Sequence, residues 1–180
     1  KASPGYYQVF LDDYKVNVEL TVSERVGVHR YTFPKGAASN IIIDPVHKIF
    51  GKTIETSIEL DGNQVKGYCF SRGWGGKRYT YFVISFSRPF NAFGIYDGSE
   101  QLDEVSRATG ENVKAYVQFH TDRDEEIEVQ VAISQVSQEG AEKNLQSGKS
   151  GRSFDKVLEG TRRMWVDELS KIEVNGGTRE

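Results

Sequence analysis

The sequence predicts a mainly β fold: an antiparallel β-sandwich with one or two helices appended at its C-terminal end. Three observations carry this expectation. Apolar and polar residues alternate with period two in segment after segment. Turn residues interrupt these segments about every 8–12 residues. Beyond residue 137 the apolar spacing becomes helical.

The clearest pair of strands is 15–22 and 26–33, preceded by a strand at 6–11. Val16, Val18, Leu20 and Val22 share one face, and Asn17, Glu19 and Thr21 take the other. After a polar turn at Ser23–Glu24, His29, Tyr31 and Phe33 alternate with Val28, Arg30 and Thr32. Pro34 closes this strand because proline cannot donate to a ladder. Further strands are expected at 40–44, 53–60, 64–70, 78–87, 91–96, 113–120 and 126–134. Asp61-Gly62-Asn63 signals a tight hairpin, and Pro89 ends the strand before it. The stretch 97–112 reads as a long polar loop or insertion. Gln138–Ser147 reads as a short helix, followed by a flexible break at Gly148–Arg152. Ser153 is a candidate N-cap with Asp155 in the first turn. From there Phe154, Val157, Leu158, Thr161, Met164, Trp165, Leu169 and Ile172 form one apolar stripe ending near Lys171. That stripe is expected to pack on its own sandwich, to dock on a following domain, or to do both with different faces.

Composition narrows the function classes. The chain has 180 residues, 37% hydrophobic and 27% charged, which suits one globular domain. Net charge is −3 with acids and bases interspersed, so no basic stripe for nucleic acid is present. No apolar run approaches the roughly 20 residues that span a bilayer. Lys1 leads directly into fold-like sequence, the pattern of a chain from which a leader or earlier segment has been removed. Cys69 is the single cysteine, which excludes an internal disulfide, and its alternating context predicts a buried structural thiol. His29, His47 and His120 are too far apart for zinc-ligand spacing. Aromatics reach 12%, a richness that core packing explains more often than a carbohydrate site does.

The best site candidate is Ser71-Arg-Gly-Trp-Gly-Gly-Lys77. Glycines permit unusual backbone angles and close approach of a ligand. Trp74 would offer a flat face to a sugar ring, and Arg72 and Lys77 would donate to oxygen-rich groups. The competing expectation is a hairpin tip whose tryptophan folds back over the sheet edge. A phosphate loop is rejected, because the GK[ST] ending and a following helix are missing. Among the 26 acids, Asp12-Asp13, Asp103-Glu104 and Asp124-Glu125-Glu126 read as turn or solvated groups rather than a catalytic pair.

Several motifs in order resemble the N-terminal β-sandwich domain of glycoside hydrolase family 92, exo-acting bacterial α-mannosidases. They are Ala2-Ser-Pro-Gly-Tyr-Tyr-Gln-Val9, Glu19–Pro34, Asn40-Ile-Ile-Ile-Asp44 and Ser87-Arg-Pro-Phe90. Ile133-Ser-Gln-Val-Ser137, Phe154-Asp155, Trp165 and Leu169-Ser-Lys-Ile172 continue the series. The resemblance implies a sandwich of the galactose-mutarotase-like supersandwich type over 1–137 and a helical linker over 138–180. The linker would lead to an (α/α)6 catalytic barrel outside this sequence. That barrel would supply the catalytic acid and base and the calcium ligands, and the outcome would be inversion. The resemblance assigns Trp74 to the sugar cleft, with Arg72 and Gly73 as possible contributors. It assigns no catalytic residue, metal ligand or cofactor to these 180 residues. Expected partners are the barrel of the same polypeptide and a mannose-containing glycan, in a secreted, periplasmic or cell-surface protein. The alternative from residues alone is an independent lectin-like module, and a protein-interaction sandwich is a third. Separated from a barrel, the domain is expected to expose strand edges and an apolar helix surface and so to self-associate.

Overall fold

A computed structural model describes residues 1–148 and 153–177. All ten expected strands are present: β2 (Tyr6–Leu11), β3 (Val16–Val22), β4 (Val26–Phe33), β5 (Gly36–Ile43), β6 (Lys52–Asp61), β7 (Gln64–Gly73), β8 (Gly76–Phe86), β9 (Ala92–Asp97), β12 (Val113–Thr121) and β13 (Glu125–Ser134). Three short strands were not anticipated: β1 (Ala2–Ser3), β10 (Glu100–Leu102) and β11 (Arg107–Gly110). The last two lie inside the stretch expected to be loop. Their residues lack apolar alternation, and they exist because β9 and β6 offer them backbone partners. The helices are α1 (Gln138–Gly148) and α2 (Phe154–Leu169). The expected break at 149–152 and residues 178–180 lie outside the described residues.

The strands form two antiparallel sheets. The larger has nine strands in the order β1-β2-β3-β4-β13-β8-β7-β6-β11, and the smaller has four in the order β10-β9-β12-β5. Between them sits the main core, with Ile58, Val65, Phe86, Val117, Phe119 and Ile127 at most 2% exposed. The other face of the large sheet holds a second apolar layer under the two helices. Here Val26, Val28, Val83 and Ala132 meet Ala141, Leu145, Phe154, Val157 and Leu158. Period two therefore does not mean a half-buried strand throughout: β4 is covered on both faces, by the small sheet and by helix.

Part of the aromatic content lies outside the main core. Phe70 stacks on Tyr79 at 4.3 Å between centroids, and Tyr79 on Tyr81 at 5.6 Å. Tyr68 joins this ladder and donates to Glu55 at 2.6 Å, a bond that with its burial pushes the phenol up to about 12. Cys69 is buried, as expected.

The expected helix stripe is divided along its length rather than between opposite faces. Phe154, Val157, Leu158 and Thr161 are buried, whereas Met164, Trp165, Leu169 and Ile172 are exposed. The reason is geometric. The helix starts over β4, crosses β3, and reaches the outermost strands where Trp165 passes Gly5. Beyond that point no sheet lies beneath it. The helix ends at Leu169, about half a turn short of the expected end. Ser153 has the extended backbone of an N-cap but makes no side-chain cap. Glu128 Oε1 instead accepts the Phe154 N–H at 3.3 Å.

His29 and Arg30 act as supports. The His29 ring nitrogen Nδ1 lies 3.0 Å from the Tyr31 hydroxyl. Arg30 lies 4.4 Å from the Phe154 ring centroid and pairs with Glu19 at 2.9 Å and Asp155 at 3.1 Å, tying β3, β4 and α2 together. Burial alone would raise the Glu19 carboxyl. Donors from Arg30 and from the Tyr6 hydroxyl outweigh it and hold the group below its usual range. A carboxyl lowered in the folded state contributes stability above its unfolded pKa, lost as pH falls through the folded value. Melting temperature should therefore decline below about pH 4.5, and Glu19→Gln should flatten that acid limb. Parallel thermal curves for the two proteins across this range would refute the assignment.

Candidate functional site

The candidate loop is the turn of the β7–β8 hairpin. Gly73 pairs with Gly76, leaving Trp74 and Gly75 at the tip. Gly76 has φ +80°, a backbone angle that L side chains rarely adopt, so a glycine closes this turn. Trp74 is 92% exposed and does not fold back over the sheet. Phe50 lies beside it, 5.2 Å away between ring centroids and itself 62% exposed.

Phe50 belongs to the segment between β5 and β6, which carries no strand pattern and was not anticipated as part of a site. It is pinned at both ends. Asp44 Oδ1 accepts the N–H groups of Val46 and His47 at 3.0 Å each, and its other oxygen pairs with Lys114 at 2.9 Å. Although burial alone would raise the Asp44 carboxyl, these donors hold it below its usual range. At the other end Gly51, φ +97°, sits so close to the Arg72 carbonyl that a Cβ would lie 2.5 Å from it. Between these anchors Ile49 and Phe50 are carried into solvent, Phe50 beside Trp74. A usable signal was present in the sequence: an apolar pair directly before a glycine, in a segment opened by Asp44-Pro45.

Below the tip lies an open groove of about 420 Å³, lined among others by His47, Lys48, Phe50, Ser71, Arg72 and Arg78. No carboxylate lines it among the described residues. Three cations, Lys52, Arg72 and Lys77, occupy directly paired positions on β6, β7 and β8. Like charges placed opposite one another on adjacent strands oppose sheet formation, so this rung is not explained by stability. The groove can offer donors and flat apolar faces to an oxygen-rich ligand. It cannot by itself supply the two carboxylates that glycoside hydrolysis needs.

The acids considered from sequence are not brought together. Asp12 and Asp13 are exposed in the β2–β3 turn, and Asp103 and Glu104 in the turn between β10 and β11. Asp124 and Glu126 are exposed at the β12–β13 turn, where Glu125 pairs with Arg88 at 3.4 Å. Among the described residues, no three His, Cys, Asp or Glu side chains are grouped to hold a metal ion. No helix among the described residues is long and apolar enough to cross a membrane.

The model of the glycosyl hydrolase family 92 N-terminal domain matches residues 1–134. The chain belongs to this family. No curated protein matches the sequence. Among solved structures, the family GH92 α-mannosidase BT3965 from Bacteroides thetaiotaomicron shares 30% identity at a TM-score of 0.92. The match covers 98% of this chain and 25% of that one. The family GH92 inverting mannosidase BT2199 from B. thetaiotaomicron VPI-5482 shares 23% identity at a TM-score of 0.86, over 99% and 24% of the two chains. A bacterial glucoamylase, 12% identical with a TM-score of 0.58 over 88% and 26% of the chains, shows the fold alone. This family 92 domain thus spans about a quarter of the length of the mannosidases it matches.

Proposed function

We propose that these residues form the non-catalytic N-terminal domain of a longer, exo-acting, calcium-dependent and inverting α-mannosidase. It would act on mannose-containing glycans, with α-1,2 linkages the preferred reading, outside the cytoplasm. In this reading the domain buttresses an (α/α)6 barrel of the same polypeptide and forms one wall of the sugar cleft. Trp74 is the stacking residue, and Arg72 and Gly73 flank it. The observation that carries this is the indole itself: 92% exposed, at the tip of a hairpin whose strands are paired to their ends. With Phe50 5.2 Å away and also exposed, it forms a contiguous flat apolar patch, the kind of surface that marks an interaction site. The acid, base and calcium ligands are assigned to the barrel, because the groove below Trp74 has no carboxylate lining among the described residues.

The test uses the isolated chain and the longer protein side by side. The chain alone should not hydrolyse an aryl α-mannoside or mannobiose, whereas the longer protein should. In the longer protein Trp74→Ala should raise KM about tenfold, the equivalent of ~1.4 kcal/mol, with a smaller effect on kcat. Turnover by the isolated chain would overturn the division of labour. An unchanged KM would remove Trp74 from the cleft.

A further inference from the structure

The two sheets are unequal, and the shortfall falls at one place. The small sheet ends at β5, which pairs with β12 on one side and with no strand on the other among the described residues. Opposite it the large sheet runs on past β4 through β3, β2 and β1. The result is a groove of about 540 Å³ between the free side of β5 and the inner face of this overhang, lined by Leu11, Val16, Tyr31 and Phe33 among others. Its floor continues along paired positions of β2 and β3: Tyr7 beside Leu20, and Val9 beside Val18. Tyr7 and Leu11 remain 46% and 39% exposed. Val16, Val18 and Phe33 at the back of the groove are buried in the main core, whereas Tyr7 and Leu11 have the same core chemistry but stay part-exposed.

A free strand edge presents unpaired backbone donors and acceptors, and natural sheets normally protect such an edge. Pro34, Lys35 and an irregularity in the pairing at Gly36–Ser39 blunt the start of β5, but Ser39–Ile43 beyond them has no charge, proline or bulge. Its exposed residues include Asn40 and Ile42, the latter 75% exposed, and the strand Gly36-Ala-Ala-Ser-Asn-Ile-Ile-Ile43 has no charge and no proline. Unpaired backbone beside an apolar floor is the arrangement that takes an added strand, with alternate side chains seated on the floor.

We infer that β5 is completed by an extended strand, apolar at alternate positions, from outside residues 1–180 of the same polypeptide. Geometry opposes a second copy as the occupant. Two chains joined antiparallel through β5 would bring their large sheets into one layer, and each overhang would occupy the space of the other's β4 and β13. A lone strand lies on the overhang without that conflict. The relatives supply the length: three quarters of BT3965 lies outside the matched region. The inference shares with the proposed function only the premise of a longer polypeptide, and its test involves no activity.

The test is amide hydrogen exchange of Ser39–Ile43 in the isolated chain and in the longer protein. Completion of the edge should slow exchange of the alternate β5 amides by at least a hundredfold in the longer protein, while β12 amides change little. Equal exchange in the two proteins would overturn the inference, as would a reading frame confined to these 180 residues. Protection that rises with concentration of the isolated chain, together with a dimer by light scattering, would also overturn it in favour of self-pairing. Leu11→Lys gives an independent check. It should lower the melting temperature of the longer protein clearly more than that of the isolated chain, where Leu11 is already part-exposed. Equal losses would count against an added strand.

Discussion

Replacing Phe154 by alanine is expected to destabilise the domain by about 3–5 kcal/mol, the range for emptying a buried aromatic site. Phe154 is fully buried in the layer between α2 and the large sheet, with the Arg30 guanidinium 4.4 Å from its ring centroid. Its loss removes the first anchor of α2 and leaves Arg30 without its aromatic neighbour. For a domain of this size each kcal/mol corresponds to roughly 2–4 °C, so a drop on the order of 10 °C should be seen calorimetrically. Exchange protection should fall first in α2 and last in β12 and β6, which belong to the other core. A loss below about 1 kcal/mol, or uniform loss of protection, would show that the helix layer is not a separate packing unit.

Gly67→Ala should be comparably damaging for a different reason. A Cβ built on Gly67 lies 1.9 Å from the Ser57 carbonyl oxygen, a backbone atom of the neighbouring strand, and 3.0 Å from the Phe82 ring. A flexible side chain could move aside; paired backbone cannot without opening β6 from β7. Overpacking of this kind costs about 3 kcal/mol at the upper end of its usual range. Expected results are a lower chemical-denaturation midpoint and faster exchange along β6 and β7. A melting point within 2 °C of the parent would mean that the two strands are not held at this spacing. A glycine inside a strand commonly marks such close approach of another backbone.

Strand positions were legible because alternation and turn chemistry are local. The β6–β7 turn could be placed from Asp61-Gly62-Asn63, and Gly62 indeed has φ +60°. β10 and β11 were not legible, since Glu100–Leu102 and Arg107–Gly110 are strands only because neighbours pair with them. The Trp74 hairpin was visible as an aromatic between glycines. The apolar pair before Gly51 was visible too, but not that Phe50 would meet Trp74, because twenty-odd residues separate them and only the β6–β7 pairing and the Gly51–Arg72 approach bring them together.

By itself the sequence determined the antiparallel β class, the positions of ten of the thirteen strands and of both helices within a few residues, the buried thiol and the family. These depend on backbone propensity, periodicity and short motifs, each readable within a dozen residues. Only the tertiary structure decided which strands share a sheet, that β4 is covered on both faces, that half of the α2 stripe runs past the sheet, and that β5 lies open. Period two reports which side chains share a face of one strand. It says nothing of what lies against that face, because burial is set by neighbours far away in the chain.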